Sequence, residues 1–279
     1  VLPAKLVTDI VRALDSGQVE IAVDEEGVRI TSGRSDFSLR VMAADEFPRF
    51  EAPGGEAVTL DAESVATALE QVVKAASGDD SRPILTGVLL AAEDDGLRFV
   101  ATDSYRLAVR DLPGTSILGR DQTVLVPSRA LEVTGRLLGD ADELTIRLDE
   151  REASFEVGDV TIVTRLIEGE FPNYRGLIPT DHPNALVVDR TALIDAVRRV
   201  GLLAKDATPV RLAMTGDGLE LIAITQDVGQ AHETVDATYE GSDLTVAFNP
   251  GYLLDGLEVS PGDEVRLETI DSLKPAVIR

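Results

Sequence analysis

The fold is decided by the stretch LPAKLVTDIVRAL at residues 2–14, because it returns as VPSRALEVTGRLL at residues 126–138. The correspondence continues to Phe47 and Phe171, which lie at the same offset of 124 (171 − 47 and 126 − 2). Self-similarity at a long fixed period is the signature of a tandem-repeat architecture. The chain is therefore expected to contain copies of one structural unit.

Each copy of this unit predicts a helix followed by strands. Apolar residues recur at helical spacing and then alternate in steps of two, as expected for a helix and a half-buried strand. The predicted helix, strand and hairpin turn are residues 5–14, 19–23 and 24–27 in the first copy and residues 128–138, 144–148 and 149–152 in the second.

A second kind of unit lies between these copies and also recurs. It has the order strand, helix, strand, strand: residues 57–60, 62–76, 87–90 and 97–100, repeated at 186–189, 191–203, 210–213 and 219–222. The stretch FNPGY at residues 248–252 opens a third copy of the helical half.

The repeats predict an α+β protein with two helices packed on antiparallel sheets in each full domain. The predicted domains are residues 1–53 (partial), 54–180 and 181–279, and helix- and strand-breaking residues at 53–55 and 179–183 mark the linkers. The first residue is not Met and the last falls within a predicted strand, so both ends are expected to be truncated.

Composition narrows the class of protein. A chain of 279 residues with 44% hydrophobic and 27% charged residues favours a globular protein of two or three domains. No apolar run approaches the roughly 20 residues that span a bilayer, and no signal segment opens the chain, so a cytoplasmic location is expected. Cysteine is absent and His182 lies far from His232 in sequence, so no metal site is predicted and both histidines are expected at the surface.

The net charge of −24 argues against nucleic-acid binding unless the cations are gathered on one surface. The repeat gathers some of them, because the offset of 124 relates Lys5 to Arg129 and Arg12 to Arg136. Residues seven apart share a helical face, and the expected apolar stripe opposite contains Leu6, Ile10 and Leu14 in the first helix and Val133, Leu137 and Leu138 in the second.

Further cations fall on or just after the other predicted helices: Lys74, Arg198, Arg199 and Lys205. For a single helix, an ordinary solvated face is the simpler interpretation. Recurrence at equivalent positions instead favours a helix-lined surface for non-specific contact with duplex phosphates.

Four motifs resemble the bacterial beta sliding clamp family: SRPILTG at residues 81–87, ATDSYRLA at 101–108, EFPNYR at 170–175 and Phe248-Asn249. The resemblance extends along the whole chain, and the motifs occur in the same order as in the family. It implies tandem clamp domains, a head-to-tail homodimeric ring with helices lining the hole and sheets outside, and no catalysis or cofactor. It further implies a nucleoid-associated location and these partners: double-stranded DNA held topologically, the replicative DNA polymerase, the clamp loader, and repair polymerases and ligase through short linear motifs.

The resemblance also assigns site residues. The residues expected to face DNA are Lys5, Arg12, Lys74, Arg82, Arg129, Arg136, Arg198, Arg199 and Lys205. The residues expected to form an apolar pocket for partner peptides are Leu85, Thr102, Tyr105, Arg106, Leu107, Pro172 and Leu177. Gly176 stands where family members often carry arginine. Ring closure is assigned to Phe37 and Leu39 against Leu202 and Leu203, although all four would also suit a protein core.

Two other classes of function remain open at this point. An enzyme could use Asp103 or the pair Asp94-Asp95, but the sequence has no glycine-rich phosphate loop, HExxH motif or nucleophile elbow. A scaffold of repeated α+β modules could bind proteins without binding DNA. DNA topology distinguishes the scaffold from a clamp, because only a ring is retained on circles and lost from linear ends.

Overall fold

The computed structural model describes residues 1–24, 27–43, 53–204 and 208–279. The chain forms two compact units, Val1–Glu51 and Ala52–Arg279. In the part of the chain described, no helix is long and apolar enough to cross a membrane.

The first unit is one helix beside a three-stranded antiparallel sheet. Its elements are α1 (Ala4–Ala13), β1 (Glu20–Val23), β2 (Val28–Ser32) and β3 (Ser35–Leu39). The sheet order is β1-β2-β3, and α1 buries Ile10 in a small core with Val28 and Ile30 of the central strand. Gly33 has a φ of +56° in the β2–β3 turn, a conformation that glycine adopts without strain.

The second unit contains two modules of one plan. The elements of the first module are β4 (Ala57–Asp61), α2 (Ala62–Val72), β5 (Gly87–Glu93), β6 (Gly96–Thr102), β7 (Leu107–Pro113), β8 (Thr123–Pro127), α3 (Ser128–Leu137), β9 (Glu143–Leu148), β10 (Glu152–Val157) and β11 (Val160–Arg165). Its antiparallel sheets have the orders β7-β6-β5-β8 and β11-β10-β9-β4. Short 3-10 turns occupy Val73–Ala75, Pro83–Thr86, Leu138–Asp140 and Arg175–Leu177.

The second module repeats this arrangement. Its elements are β12 (Asn184–Asp189), α4 (Arg190–Gly201), β13 (Val210–Thr215), β14 (Gly218–Thr225), β15 (Gly229–Val235), β16 (Ala237–Glu240), β17 (Leu244–Phe248), α5 (Pro250–Glu258), β18 (Glu264–Thr269) and β19 (Val277–Ile278). Its sheets have the orders β15-β14-β13-β17 and β16-β12-β18-β19. The predicted α+β class and the two helices per full module are confirmed.

Helix starts are encoded locally by capping residues. The carboxylate of Asp61 accepts a hydrogen bond from the Ser64 amide at 2.8 Å, and the carboxylate of Asp189 accepts one from the Ala192 amide at 2.7 Å. Asn249 caps α5 in the same way. Each cap satisfies an amide that the helix leaves unpaired, which stabilises the helix by about 1 kcal/mol.

The core of each module lies between its helices and its two sheets. In the first module, Leu69 and Leu131 from the helices pack with Phe99 and Phe155, which are 2% and 1% exposed. A separate core of buried aliphatic residues and Met214 fills the second module. Each module therefore buries one face of both sheets against helices, which leaves the opposite helix faces exposed.

Two residues of the predicted apolar stripes are exposed. Leu6 is 47% exposed and Val133 is 41% exposed, so these assignments were wrong. In α3 and the turn that follows it, the buried apolar positions are Leu131 and Leu138. At about 100° per residue, Val133 points about 200° away from Leu131, onto the solvent side.

Candidate functional site

The β6–β7 hairpin carries four residues of the predicted peptide pocket. Thr102 pairs with Leu107 at the end of the ladder, and the loop between them presents Tyr105 and Arg106. The Thr102 hydroxyl donates to the Arg106 carbonyl oxygen at 2.6 Å. Tyr105 is 79% exposed, so its ring is available to a ligand.

Asp103 and Ser104 hold this loop in a defined conformation. The Asp103 carboxylate accepts hydrogen bonds from the amides of Tyr105 at 2.8 Å and Arg106 at 3.0 Å. Ser104 has a φ of +83°, which is uncommon for a residue with a side chain. Asp103 is 7% exposed and occupied by these bonds, so its chemistry is that of a turn residue and not of a catalytic carboxylate.

The apolar residues beside the hairpin form a separate small cluster. Leu107 packs there with Phe171, and Phe171 meets the Tyr174 ring edge-on with centroids 6.4 Å apart. The remaining predicted pocket residues flank this cluster: Pro172 and Leu177 are exposed, the latter at 55%, and Leu85 is buried beneath the surface at 9%. The segment after β11 thus brings an exposed proline and an exposed leucine to the sheet that carries the hairpin.

Two cavities, of about 300 and 590 Å³, lie at the loop between β7 and β8. The larger is lined by carboxylates, including Glu93, Asp94, Asp95 and Asp121. Neither contains a residue of the predicted peptide pocket. The hairpin nevertheless remains the candidate site, because shallow apolar surfaces that hold a peptide need not enclose volume.

Three of the cations predicted to face DNA are exposed and form no described ion pair: Lys5, Arg12 and Arg129. Arg136 has one distant partner, Glu132, with 3.8 Å between Nη2 and Oε2 and 77% of the Arg136 side chain exposed. Ion pairs this exposed contribute little. These helix cations therefore carry positive charge that solvent or a polyanion can reach.

Four of the other predicted cations form ion pairs with neighbouring carboxylates. Arg198 on α4 and Lys74 after α2 meet at one residue, Glu258, at 3.0 and 3.3 Å. The hydrogen bond from Arg198, and to a smaller extent that from Lys74, holds the pKa of the Glu258 carboxyl below its usual value. Arg199 pairs with Glu233, and Arg82 pairs with Asp79. Lys205 lies outside the described residues.

The residues predicted to close a ring differ in exposure. Phe37 and Leu39 are partly buried against the core of the first unit, and Leu203 is partly buried against the second module's core. Leu202, at the end of α4, is 74% exposed. The partial burial of Phe37, Leu39 and Leu203 is compatible with a place in the core and with a place in an interface. Leu202 is too exposed to be a core residue.

Three residues of α5 join the site without having been predicted from sequence. Tyr252 lies with its ring centroid 6.3 Å from that of Tyr105, Asp255 accepts a hydrogen bond from Arg106, and Glu258 binds two of the predicted cations. The sequence carries a signal for two of them, because Tyr252 closes the FNPGY motif and Asp255 lies three residues further along the same helix.

His182 is less exposed than the sequence predicted. His182 was expected at the surface, but its side chain is only 11% exposed because it lies against β18, with Nε2 3.7 Å from Oε2 of Glu268. Among the residues that the structure describes, no group of three or more His, Asp and Glu could hold a metal ion.

Comparison with known proteins identifies the family. Models of the DNA polymerase III beta subunit match three successive segments: the N-terminal domain at residues 1–51, the central domain at 59–173 and the C-terminal domain at 175–279. The chain therefore belongs to the DNA polymerase III beta subunit family.

The relatives within this family are named beta sliding clamps. The Streptomyces coelicolor protein is 36% identical over 285 residues, covering 98% of this chain and 74% of the relative. The crystal structure of the Bacillus subtilis DNA polymerase sliding clamp superposes with a TM-score of 0.88 at 30% identity, covering all of this chain and 75% of that one. A clamp from Bartonella birtlesii bound to griselimycin gives a TM-score of 0.88 at 31% identity, with 100% and 77% coverage.

Proposed function

We propose that this chain is a subunit of a DNA sliding clamp, a ring that encircles duplex DNA and tethers the replicative DNA polymerase for processive synthesis. The observation that carries the proposal is the repeated pair of exposed helix cations, Lys5 with Arg12 and Arg129 with Arg136, in a family of sliding clamps. The function is mechanical and involves no chemistry of its own.

The charge distribution supports sliding without sequence preference. The chain as a whole is strongly acidic, so DNA is repelled from most of its surface and attracted to the helix faces that bear exposed cations. Arginine and lysine contacts to phosphates position a protein on DNA but read no bases. Because a closed ring is held by topology, its contacts can be weak enough to allow movement.

The β6–β7 hairpin and the segment after β11 are the proposed docking site for partner proteins. An exposed aromatic ring at Tyr105, exposed apolar groups at Pro172 and Leu177, and a turn fixed by Asp103 suit a short linear motif with apolar anchors. The proposed users are the polymerase, the clamp loader, repair polymerases and ligase.

Ring closure is proposed to join two copies of the chain head to tail. Leu202 is available for this contact because its side chain is 74% exposed at the end of α4. Phe37, Leu39 and Leu203 are proposed to contribute from the edges of their cores. A cytoplasmic, nucleoid-associated location follows from this role.

A primed circular single-stranded template tests the proposal. Polymerase and clamp loader are supplied with or without the protein, and product length is measured after a single binding event. We expect long products only when protein and loader are both present. Products of equal length with and without the protein would contradict the proposed function.

A further inference from the structure

Arg106 lies where the two modules of the second unit meet, and its guanidinium contacts both. Its Nε donates to Oδ2 of Asp103 in the same hairpin at 3.1 Å, while Nη1 donates to Oδ2 of Asp255 on α5 at 2.5 Å. Its Nη2 donates to the carbonyl oxygen of Lys74. The guanidinium carbon also lies 4.5 Å from the centre of the Tyr252 ring. One side chain therefore connects the hairpin, the turn after α2 and the helix of the other module.

We propose that Arg106 is a positioning residue that fixes the β6–β7 hairpin relative to α5, and that it acts on partner peptides through this geometry and not by contacting them. The inference rests on the proposed function, because it specifies how the peptide site is held together. It differs from the role implied by resemblance, in which Arg106 is one of the pocket's lining residues.

The hydrogen bonds of Arg106 support a positioning role. All three of its nitrogens already donate to protein acceptors, and its side chain is only 22% exposed. A turn of the guanidinium toward a peptide would leave the partly exposed Asp255 carboxylate and the Lys74 carbonyl without this donor. The planar guanidinium suits several fixed acceptors at once, which a lysine ammonium cannot match in geometry.

The other described polar contacts between the two modules are neutral or more exposed than those of Arg106. The Gln71 side-chain amide donates to the Val259 carbonyl oxygen at 3.0 Å, and Lys74 reaches Glu258 at 3.3 Å with 46% of its side chain exposed. Exposed pairs are screened by water and contribute little. The less exposed Arg106 bonds are thus expected to set the position of α5, and with it the distance between Tyr105 and Tyr252.

Peptide binding to two variants tests the assignment. The probe is a fluorescein-labelled peptide that carries the clamp-binding motif of the host replicative polymerase, and the variants are Arg106→Lys and Asp255→Asn. Loss of one partner of a charged hydrogen bond corresponds to about a tenfold change in equilibrium. Both variants are therefore expected to bind the peptide about tenfold more weakly. Asp195→Asn is the control, because the described ion pair of Asp195 on α4 is with Arg198 of the same helix at 3.8 Å, and the peptide affinity of this variant should not change.

The Asp255 variant distinguishes the two roles of Arg106. If Arg106 contacted the peptide directly, Asp255→Asn would release the guanidinium and leave binding unchanged or tighter while Arg106→Lys weakened it. That pattern would overturn the inference.

A second measurement tests, without any peptide, whether the two modules are held in a fixed relative position. The chain has no cysteine, so Glu70→Cys on α2 and Asp263→Cys before β18 allow specific spin labelling. The distribution of label distances should broaden in Asp255→Asn and stay narrow in Asp195→Asn. A narrow distribution in both would overturn the positioning role. Broadening in Asp255→Asn together with no peptide binding by the unmodified protein would support the positioning role and refute the proposed docking site.

Discussion

Replacement of Arg129 and Arg136 by glutamine should reduce the salt dependence of duplex DNA binding. Both side chains are exposed on α3, and the only described partner of either is Glu132, at 3.8 Å from Arg136. Their charge is therefore available to phosphates. Each phosphate contact contributes about 0.9 to the slope of log affinity against log salt concentration. The double variant should lower that slope by about 1.8 per chain.

The same reasoning predicts a smaller effect for Arg198→Gln. Glu258 already holds the Arg198 guanidinium at 3.0 Å, so a phosphate would have to displace a carboxylate before gaining the contact. The single variant should lower the slope by clearly less than about 0.9. This ordering of the variants follows from the ion pairs and not from the number of charges removed.

Fluorescence anisotropy of a labelled linear duplex over a series of salt concentrations measures these slopes. Arg151→Gln with Arg165→Gln is the matched control, since Arg151 is exposed in the β9–β10 turn, Arg165 is exposed at the end of β11, and their removal changes net charge equally. Equal slopes for the α3 double variant and this control would refute the assignment of α3 to the DNA-facing surface.

Three further predictions concern stability. Leu212→Ala removes a side chain that is 0% exposed and should lower the free energy of unfolding, measured in urea, by about 2 to 5 kcal/mol. Ile224→Ala removes a side chain that is 51% exposed and should lower it by about 0.5 kcal/mol or less. Equal losses would contradict the assigned core. Asn184→Ala leaves three backbone groups without their side-chain partner and should cost about 1 to 3 kcal/mol, so an unchanged thermal midpoint would argue against those bonds. Hydrogen bonding to Arg98 lowers the pKa of Asp111 in the folded protein. The pair therefore stabilises the fold fully above the carboxyl's unfolded pKa of about 3.9. That stabilisation is lost as the pH falls through the lower folded pKa. Asp111→Asn should remove that part of the acid dependence in urea titrations between about pH 6 and pH 2, and an identical pH profile for both proteins would exclude the pair's contribution.

The helices and their order could be predicted from sequence because the signals are local and repeated. The predicted helix 128–138 is found at Ser128–Leu137, and the predicted helix 191–203 is found at Arg190–Gly201. Periodicity, capping residues and the offset of 124 all act within a few residues of the element that they specify. The same offset relates Lys5 to Arg129 and Arg12 to Arg136, and all four are exposed in the structure.

The contacts between modules could not be predicted in this way. Arg106 and Asp255 are 149 residues apart, and neither lies in a periodic pattern that relates it to the other. The ion pairs of Glu258 with Arg198 and Lys74 could not be predicted from the positions of charges in the sequence, because the partner of a carboxylate depends on how the helices pack. Burial of His182 beside Glu268 arises from the path of a linker, for which the sequence carries no spacing rule.

Retention on circular compared with linear DNA distinguishes a closed ring from a protein that binds DNA in any other way. The protein is loaded by its clamp loader onto nicked circular duplex, half of the sample is linearised, and both halves are separated by gel filtration. We expect the protein to stay with the circles and to be lost from the linear molecules, because a ring is held by topology and can slide off a free end. Equal retention on both forms would contradict a clamp, and absence from both would favour a protein-binding scaffold.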